Sequence, residues 1–295
     1  MSDPTAVKSR KPSRRFGILP RRPTVSVLPL VGTIATGGAL RSTFSYRDTV
    51  ERIERAFGYR GLDAVALLVN SPGGSPVQST LIFKRIRALS EEKKVPVITF
   101  AEDVAASGGY MLAIAGDEIF ADSSSIIGSI GVISAGFGFT GLMERLGVER
   151  RLLTAGKNKA IMDPFSPLNE EDVVRIKAIQ ADIHETFKAM VRTRRGGRLT
   201  ESEDKLFNGD VWSAIEAKRL GMIDGIGDVR SVMRDRYGKR VRFRVVMERK
   251  SWLRRRFGLS SLDGGGPGGS FGVGSAAEDL IAVLEARSLW ARYGL

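Results

Sequence analysis

The sequence has no cysteine and a single histidine, His184, in 295 residues. Without thiols there is no disulfide framework, no cysteine nucleophile and no thiolate metal site. One histidine cannot build a multi-histidine metal site. No metal and no cofactor are therefore expected, and any catalysis must draw on serine, lysine, carboxylates or backbone groups. Long apolar runs are missing as well. The longest, residues 25–35, is interrupted by Ser26, Pro29, Gly32 and Thr33, short of the ~18 to 20 residues a membrane-spanning helix needs. The basic N-terminus is followed by no apolar stretch ending in a small-residue cleavage site. A cytoplasmic protein is the expectation. Peripheral membrane contact stays open through Trp252 and Leu253 among Arg254, Arg255 and Arg256, or through the N-terminal arm.

What is present is an ordinary globular balance, 42% apolar and 27% charged, with enough chain for one large domain or two small ones. The net charge of +13 is unevenly spread. Residues 1–25 carry seven basic residues against Asp3, and residues 230–256 carry twelve against Asp235 and Glu248, while the last 39 residues are net −2 and the segment 26–229 is net −1. A neutral body with basic flanks suits solvated tails, an anionic lipid surface, nucleic acid or an acidic neighbour.

Strand-like and helical runs alternate from about residue 26. Strands are expected at 25–34, 64–69, 95–100, 126–133 and 150–154. Helices are expected at 46–57, 77–93, 107–115, 142–146 and 169–195. The last of these places Val173, Ile176, Ile179, Ile183, Phe187 and Met190 on one stripe, the expected core face. Such alternation argues a layered α/β fold with largely parallel strands. Five segments follow: a basic arm (1–25), a catalytic domain (26–230), a basic extension (231–262), a glycine-rich linker (263–275) and an amphipathic C-terminal helix (276–295).

Two glycine pairs stand just beyond expected buried strands, where sites form in layered α/β folds. Ser71-Pro72-Gly73-Gly74 lets backbone N–H groups face a ligand without side-chain obstruction. Ala106-Ser107-Gly108-Gly109-Tyr110 sets a hydroxyl at a helix start, where free N–H groups favour a developing oxyanion. Either pair alone reads as a tight turn with an N-cap serine. Both together, at successive strand ends, point to a site. A nucleophilic Ser107 needs a base, and His184 lies mid-helix beside the core stripe. A lysine is the alternative, and a base lysine must be dry enough to lose its proton near neutrality, roughly 4 kcal/mol of differential burial for three pH units. Candidates lie in Thr154-Ala155-Gly156-Lys157-Asn158-Lys159-Ala160-Ile161, although composition alone reads these lysines as solvated.

The set SPGG at Ser71, AASGGY at Ala105–Tyr110, IGSIGV at Ile127–Val132, GKNKAIMDP at Gly156–Pro164 and LFNGDVWSAIEAKRLGMID at Leu206–Asp224 resembles the signal peptide peptidase A family of serine peptidases. The resemblance covers about residues 26–230 in order. It implies the Clp-protease/crotonase-like fold of repeated ββα units and a Ser/Lys dyad that cleaves peptides such as remnant signal peptides. Position by position, it implies Ser107 as nucleophile and Lys159, rather than Lys157, as general base. Ser129 of the GSIG motif would bond the lysine, Gly74 and Gly108 would donate the oxyanion-hole N–H groups, and Gly73 would shape the turn that meets substrate. With one copy of the catalytic repeat, it also implies a ring-like homo-oligomer in which Ser107 of one subunit meets Lys159 of a neighbour. Many members of the family carry an N-terminal membrane anchor, where this chain has a basic arm.

Two enzyme classes of the same fold fit less well. A crotonase needs a placed glutamate and an acyl-CoA pocket, and no such glutamate follows either glycine pair. A Clp-type protease needs a histidine soon after its nucleophile, and none occurs between Ser107 and His184. The non-enzymatic alternative is a basic-flanked scaffold of the same fold binding a membrane surface or nucleic acid, with nucleic acid the less favoured partner.

Overall fold

A computed structural model describes residues 21–36, 43–247 and 288–294. The chain builds β1 (Thr24–Val31), β2 (Thr33–Ile34), β3 (Thr43–Phe44), α1 (Tyr46–Phe57), β4 (Ala64–Ser71), α2 (Pro76–Lys93), β5 (Val97–Ala106) and α3 (Gly108–Ala113). It continues through β6 (Glu118–Ala121), β7 (Ile126–Gly128), α4 (Thr140–Leu146), α5 (Glu170–Arg195) and α6 (Glu203–Leu206). The last described elements of the domain are β8 (Val211–Ser213), α7 (Ala214–Arg219), β9 (Gly225–Ile226), α8 (Val229–Tyr237) and β10 (Arg242–Val245). The main sheet runs β10-β1-β4-β5-β6-β9 with every pair parallel, and β7 pairs parallel with the end of β5 and antiparallel with β8. This is the layered α/β architecture with mostly parallel strands that the sequence pattern implies.

The β4 run AVALLV is apolar throughout because both faces are covered. Val65, Leu67 and Val69 join a large core with Ile53 of α1, Ile82 and Ile86 of α2 and Leu112 of α3. Ala64 and Ala66 face the other way, into a smaller core that α8 closes with Met233. The fold therefore continues past residue 230, the expected domain boundary, which falls inside α8, and β10 completes the sheet edge. The basic extension beyond residue 247, the glycine-rich linker and most of the C-terminal helix lie outside the described residues. No helix among the described residues is long and apolar enough to cross a membrane.

Caps define several helix starts. Ser45 and Asp48 form a reciprocal capping box on α1, Ser75 caps α2 ahead of Pro76, and the Asp228 carboxylate accepts from the Arg230 and Ser231 N–H groups at the start of α8. The Ser231 hydroxyl and N–H, with the Arg230 N–H, hold the Asp228 carboxyl below its ordinary range. A carboxyl depressed in the folded state stabilises above its unfolded value and loses that contribution as pH falls through the folded one. Asp228→Ala should thus lower stability by about 1 kcal/mol at neutral pH. The gap to wild type should close in denaturant melts run below the ordinary carboxylate range.

Three expectations are corrected. The strand expected at 126–133 stops at Gly128, because Ser129 turns the chain at φ 53° and β8 extends only to Val211 opposite Gly128. Residues 150–154 form no strand. Leu152 and Leu153 are exposed, Leu153 at 98%, and no described strand pairs with them. Of the α5 stripe only Phe187 is buried, while Ile179 is exposed; the buried Val191 lies outside the stripe.

Candidate active site

All strands of the main sheet's central path point the same way, so the C-terminal ends of β4 and β5 form one rim. Each ends in a glycine pair. Beyond β4, Gly73 and Gly74 take φ of 105° and 137°, a region open to residues without Cβ. A Cβ on Gly74 would come within 3.0 Å or less of three backbone atoms of Ile34, and one on Gly73 would lie 2.8 Å from both the Gly108 nitrogen and the Ser107 Cβ. The Ile34 N–H donates to Gly73 (2.8 Å) and the Ser75 N–H donates to Ile34 (2.7 Å). This bridge leaves the Gly74 N–H out of the ladder. The Ser71 hydroxyl accepts from the Gly73 N–H (3.2 Å).

Beyond β5, Ser107 sits at φ 51°, ψ −123°, a sparsely populated conformation for a residue with a side chain, worth roughly 1 to 3 kcal/mol of strain. The strain is held from both sides. The Ser107 N–H donates to Gly128 (2.8 Å), and the Ser107 carbonyl accepts from Tyr110 and Met111. Gly109 lets α3 press on β4, since a Cβ there would lie 2.3 Å from the Ser71 oxygen. Gly108 is the first residue of α3, so its N–H has no acceptor within the helix. Ser107 is half-buried, with its hydroxyl at the rim between the Gly73-Gly74 turn and the helix start.

Ser129 stands next to this pair. It follows Gly128, the partner of the Ser107 N–H, and its own N–H donates to Asp210 (2.6 Å). His184 of α5 bonds the Ile130 carbonyl through Nε2 (3.1 Å), so that nitrogen carries the proton. The histidine braces the GSIG turn and does not reach Ser107. A cleft between the ends of β2, α1 and α2, lined by Thr36, Tyr46, Gln78 and Leu81 among others, begins one turn along α2 from Gly74.

Among the described residues no contact brings Lys159 to this rim. It lies in a turn where its N–H donates to Gly156 (3.2 Å); its side chain is exposed and makes no hydrogen bond or ion pair among the described residues. Lys157 is exposed beside it. The turn belongs to an arm, residues 133–169, organised by its own contacts. Arg150 clasps Asp163 with two bonds of 3.0 Å and lies over the Phe165 ring, which stacks on Phe139. The Ser166 hydroxyl, followed by the Phe165 N–H and Arg150, holds the Asp163 carboxyl below its ordinary range. Against this internal order, α4 buries none of its residues, and Phe137, Leu142, Leu146, Val148 and Leu168 are all more than half exposed. No group of three or more metal-ligating side chains occurs among the described residues.

Sequence comparison bears directly on this arrangement. The model of peptidase family S49 matches residues 89–238, which is half of the chain and includes Ser107, Ser129 and Lys159. The chain belongs to peptidase family S49. A Brucella abortus protein named as a Na(+)/H(+) antiporter NhaA is 47% identical over 284 residues, 94% of this chain and 38% of that protein. Protease 4 of Haemophilus influenzae is 33% identical over 208 residues, covering 69% of this chain and 32% of the protease. The S49 chain thus spans well under half the length of these relatives. Among solved structures, a mutant of the 1510-N membrane-bound stomatin-specific protease aligns at TM-score 0.46 and 18% identity, over 77% of this chain and 99% of that one.

Several residues that support the candidate site carry little signal in the sequence. Ile34 bridges Gly74 from forty residues upstream through backbone atoms alone, and Asp210 acts on Ser129 through its carbonyl. Ser71 was legible as part of SPGG, but its bond to the Gly73 N–H was not.

Proposed function

We propose that the protein is a serine endopeptidase in which Ser107 is the nucleophile, Lys159 of a neighbouring copy is the general base, and Ser129 orients that lysine. The observation that carries the reading is the strained Ser107 hydroxyl at the rim, flanked by the N–H groups of Gly74 and Gly108. In this reading the uncharged amine of Lys159 takes the Ser107 proton as Oγ attacks a peptide carbonyl. The negative oxygen of the tetrahedral intermediate accepts from Gly74 and Gly108, a donor pair in which loss of one member would raise the barrier by roughly 3 to 4 kcal/mol. The ammonium then returns its proton to the leaving amine, an acyl-enzyme forms on Ser107, and a water activated by the same amine releases the second product.

A lysine acts as base at neutral pH only where water is excluded from its amine. The exposed Lys159 turn and the unpartnered apolar side chains of the 133–169 arm both favour completion of the site by a second copy. A homo-oligomer with a shared dyad accounts for both. Substrates would be extended peptides, remnant signal peptides or unfolded segments among them. The name of the Brucella relative, an antiporter and so a membrane transport protein, supports a place of action at a membrane.

The direct test is labelling by a serine-reactive fluorophosphonate. Wild type should label at Ser107, with loss of labelling in Ser107→Ala and strong slowing in Lys159→Ala. Full labelling of both variants would remove the dyad and leave the non-catalytic scaffold as the better account.

A further inference from the structure

The opposite rim of the sheet is a second surface, predominantly basic. It is formed by the N-terminal ends of the parallel strands and by the turns that feed them. Its acidic side chains are largely paired, with Glu91 and Glu92 at the end of α2 lying 3.6 Å from Arg87 and 3.9 Å from Lys93. Asp63 bonds Arg21, Asp117 takes Arg87 and Arg194, Glu118 takes Arg236, and Asp224 takes Arg195 and Arg198. What remains is positive. Arg22, Arg60, Lys94, Lys239, Arg240 and Arg242 are exposed and make no ion pair among the described residues. Backbone bonds hold several of these turns together: the Arg242 N–H donates to Pro23 (2.8 Å), the Asp63 N–H to Thr24 (2.9 Å) and the Val65 N–H to Pro96 (2.9 Å).

We infer that this rim docks on the headgroups of an anionic lipid bilayer and holds the catalytic rim facing away from it. The inference rests on the membrane placement proposed above. Several cations spread over turns of neighbouring strands fit a planar array of negative headgroups. A duplex reader would instead need an element shaped to enter a groove. Each cation near such a surface raises partitioning roughly fivefold, and salt screens the effect within a Debye length. The eight residues of β4 separate the two rims by roughly 26 Å. Substrate would therefore be chain that extends from the bilayer, about eight extended residues or more beyond the headgroups, and not segments embedded in it.

The test is co-sedimentation of the full chain with vesicles of phosphatidylcholine alone and with one third phosphatidylglycerol, at low and high salt. Binding should require phosphatidylglycerol and fall steeply with salt. Lys239→Glu with Arg240→Glu removes two rim cations and should weaken binding by roughly 25-fold or more. Lys84→Glu with Lys177→Glu, the same charge change on exposed faces of α2 and α5, should leave it within a few-fold of wild type. Cleavage of a short soluble peptide should be unchanged in the rim variant, so loss of vesicle binding with retained cleavage is the expected pattern. Equal binding to neutral vesicles, equal loss in both double variants, or displacement from vesicles by duplex DNA at comparable concentration would overturn the docking. Failure of cleavage in wild type would overturn the peptidase reading and leave the vesicle result standing on its own.

Discussion

Mixed before assembly in equal amounts, Ser107→Ala and Lys159→Ala proteins should recover about a quarter of wild-type peptidase activity, although each alone is inactive. The fraction follows from a ring in which every site takes its serine from one subunit and its lysine from the next. Random mixing gives a productive site only where a Lys159→Ala subunit supplies Ser107 and a Ser107→Ala subunit supplies Lys159. That juxtaposition occurs at one interface in four. Each parent should lose a factor on the order of 10⁴ or more in kcat, since members of a nucleophile-base unit act together and removing either disables both. A peptide with a fluorogenic leaving amine reads the recovery, and crosslinking of tagged subunits verifies mixing. A dyad closed within one chain predicts no recovery at any ratio. The prediction derives from the arm, where Phe137 at 74% exposure and Leu153 at 98% leave apolar surface uncovered among the described residues.

The same arm marks the limit of what the sequence makes legible. β4 can be read because a strand covered on both faces is apolar nearly throughout, as AVALLV at Ala64–Val69 is, and β5 because its apolar run is broken only by buried Thr99 and by Glu102 and Asp103 near its end. Residues 150–154 look similar on paper, yet Leu152 and Leu153 lie in an exposed segment. Apolar periodicity reports that a face needs a partner, without saying whether the partner is in the same chain. The α5 stripe fails for the same reason at Ile179 and holds at Phe187, where the helix meets the body. In the site, AASGGY announces Ser107 because strand end, hydroxyl and helix start are contiguous. The bridge from Ile34 to Gly74 and the bond from Ser129 to Asp210 leave no such trace, being backbone contacts between segments distant in sequence.

Arg195→Ala should be the most destabilising single substitution outside the apolar core, by about 3 to 5 kcal/mol, or roughly 10 °C in Tm for a domain of this size. Arg195 ends α5 with only 2% of its side chain exposed, and it joins three parts of the fold. Its guanidinium donates twice to the Gly221 carbonyl (3.1 and 2.6 Å) and once to Asp224 (2.8 Å). Asp224 in turn accepts from the Ile119 N–H of β6 (2.7 Å). One residue past Gly221, the Met222 carbonyl accepts from the fully buried Tyr110 hydroxyl (2.9 Å), three positions after Ser107 on α3, and burial pushes that phenol well above its ordinary value. Removing Arg195 strands the Gly221 carbonyl and leaves Asp224 to Arg198 alone, 3.2 Å away and 42% exposed. Arg195→Met with Asp224→Leu should restore stability only in part, although replacing both members of a buried pair by apolar groups is often neutral. The reason is Ile119, whose N–H would then lose the carboxylate it needs. A denaturant melt of the double variant close to wild type would show that the Ile119 bond contributes little. A melt between wild type and Arg195→Ala is the expected outcome.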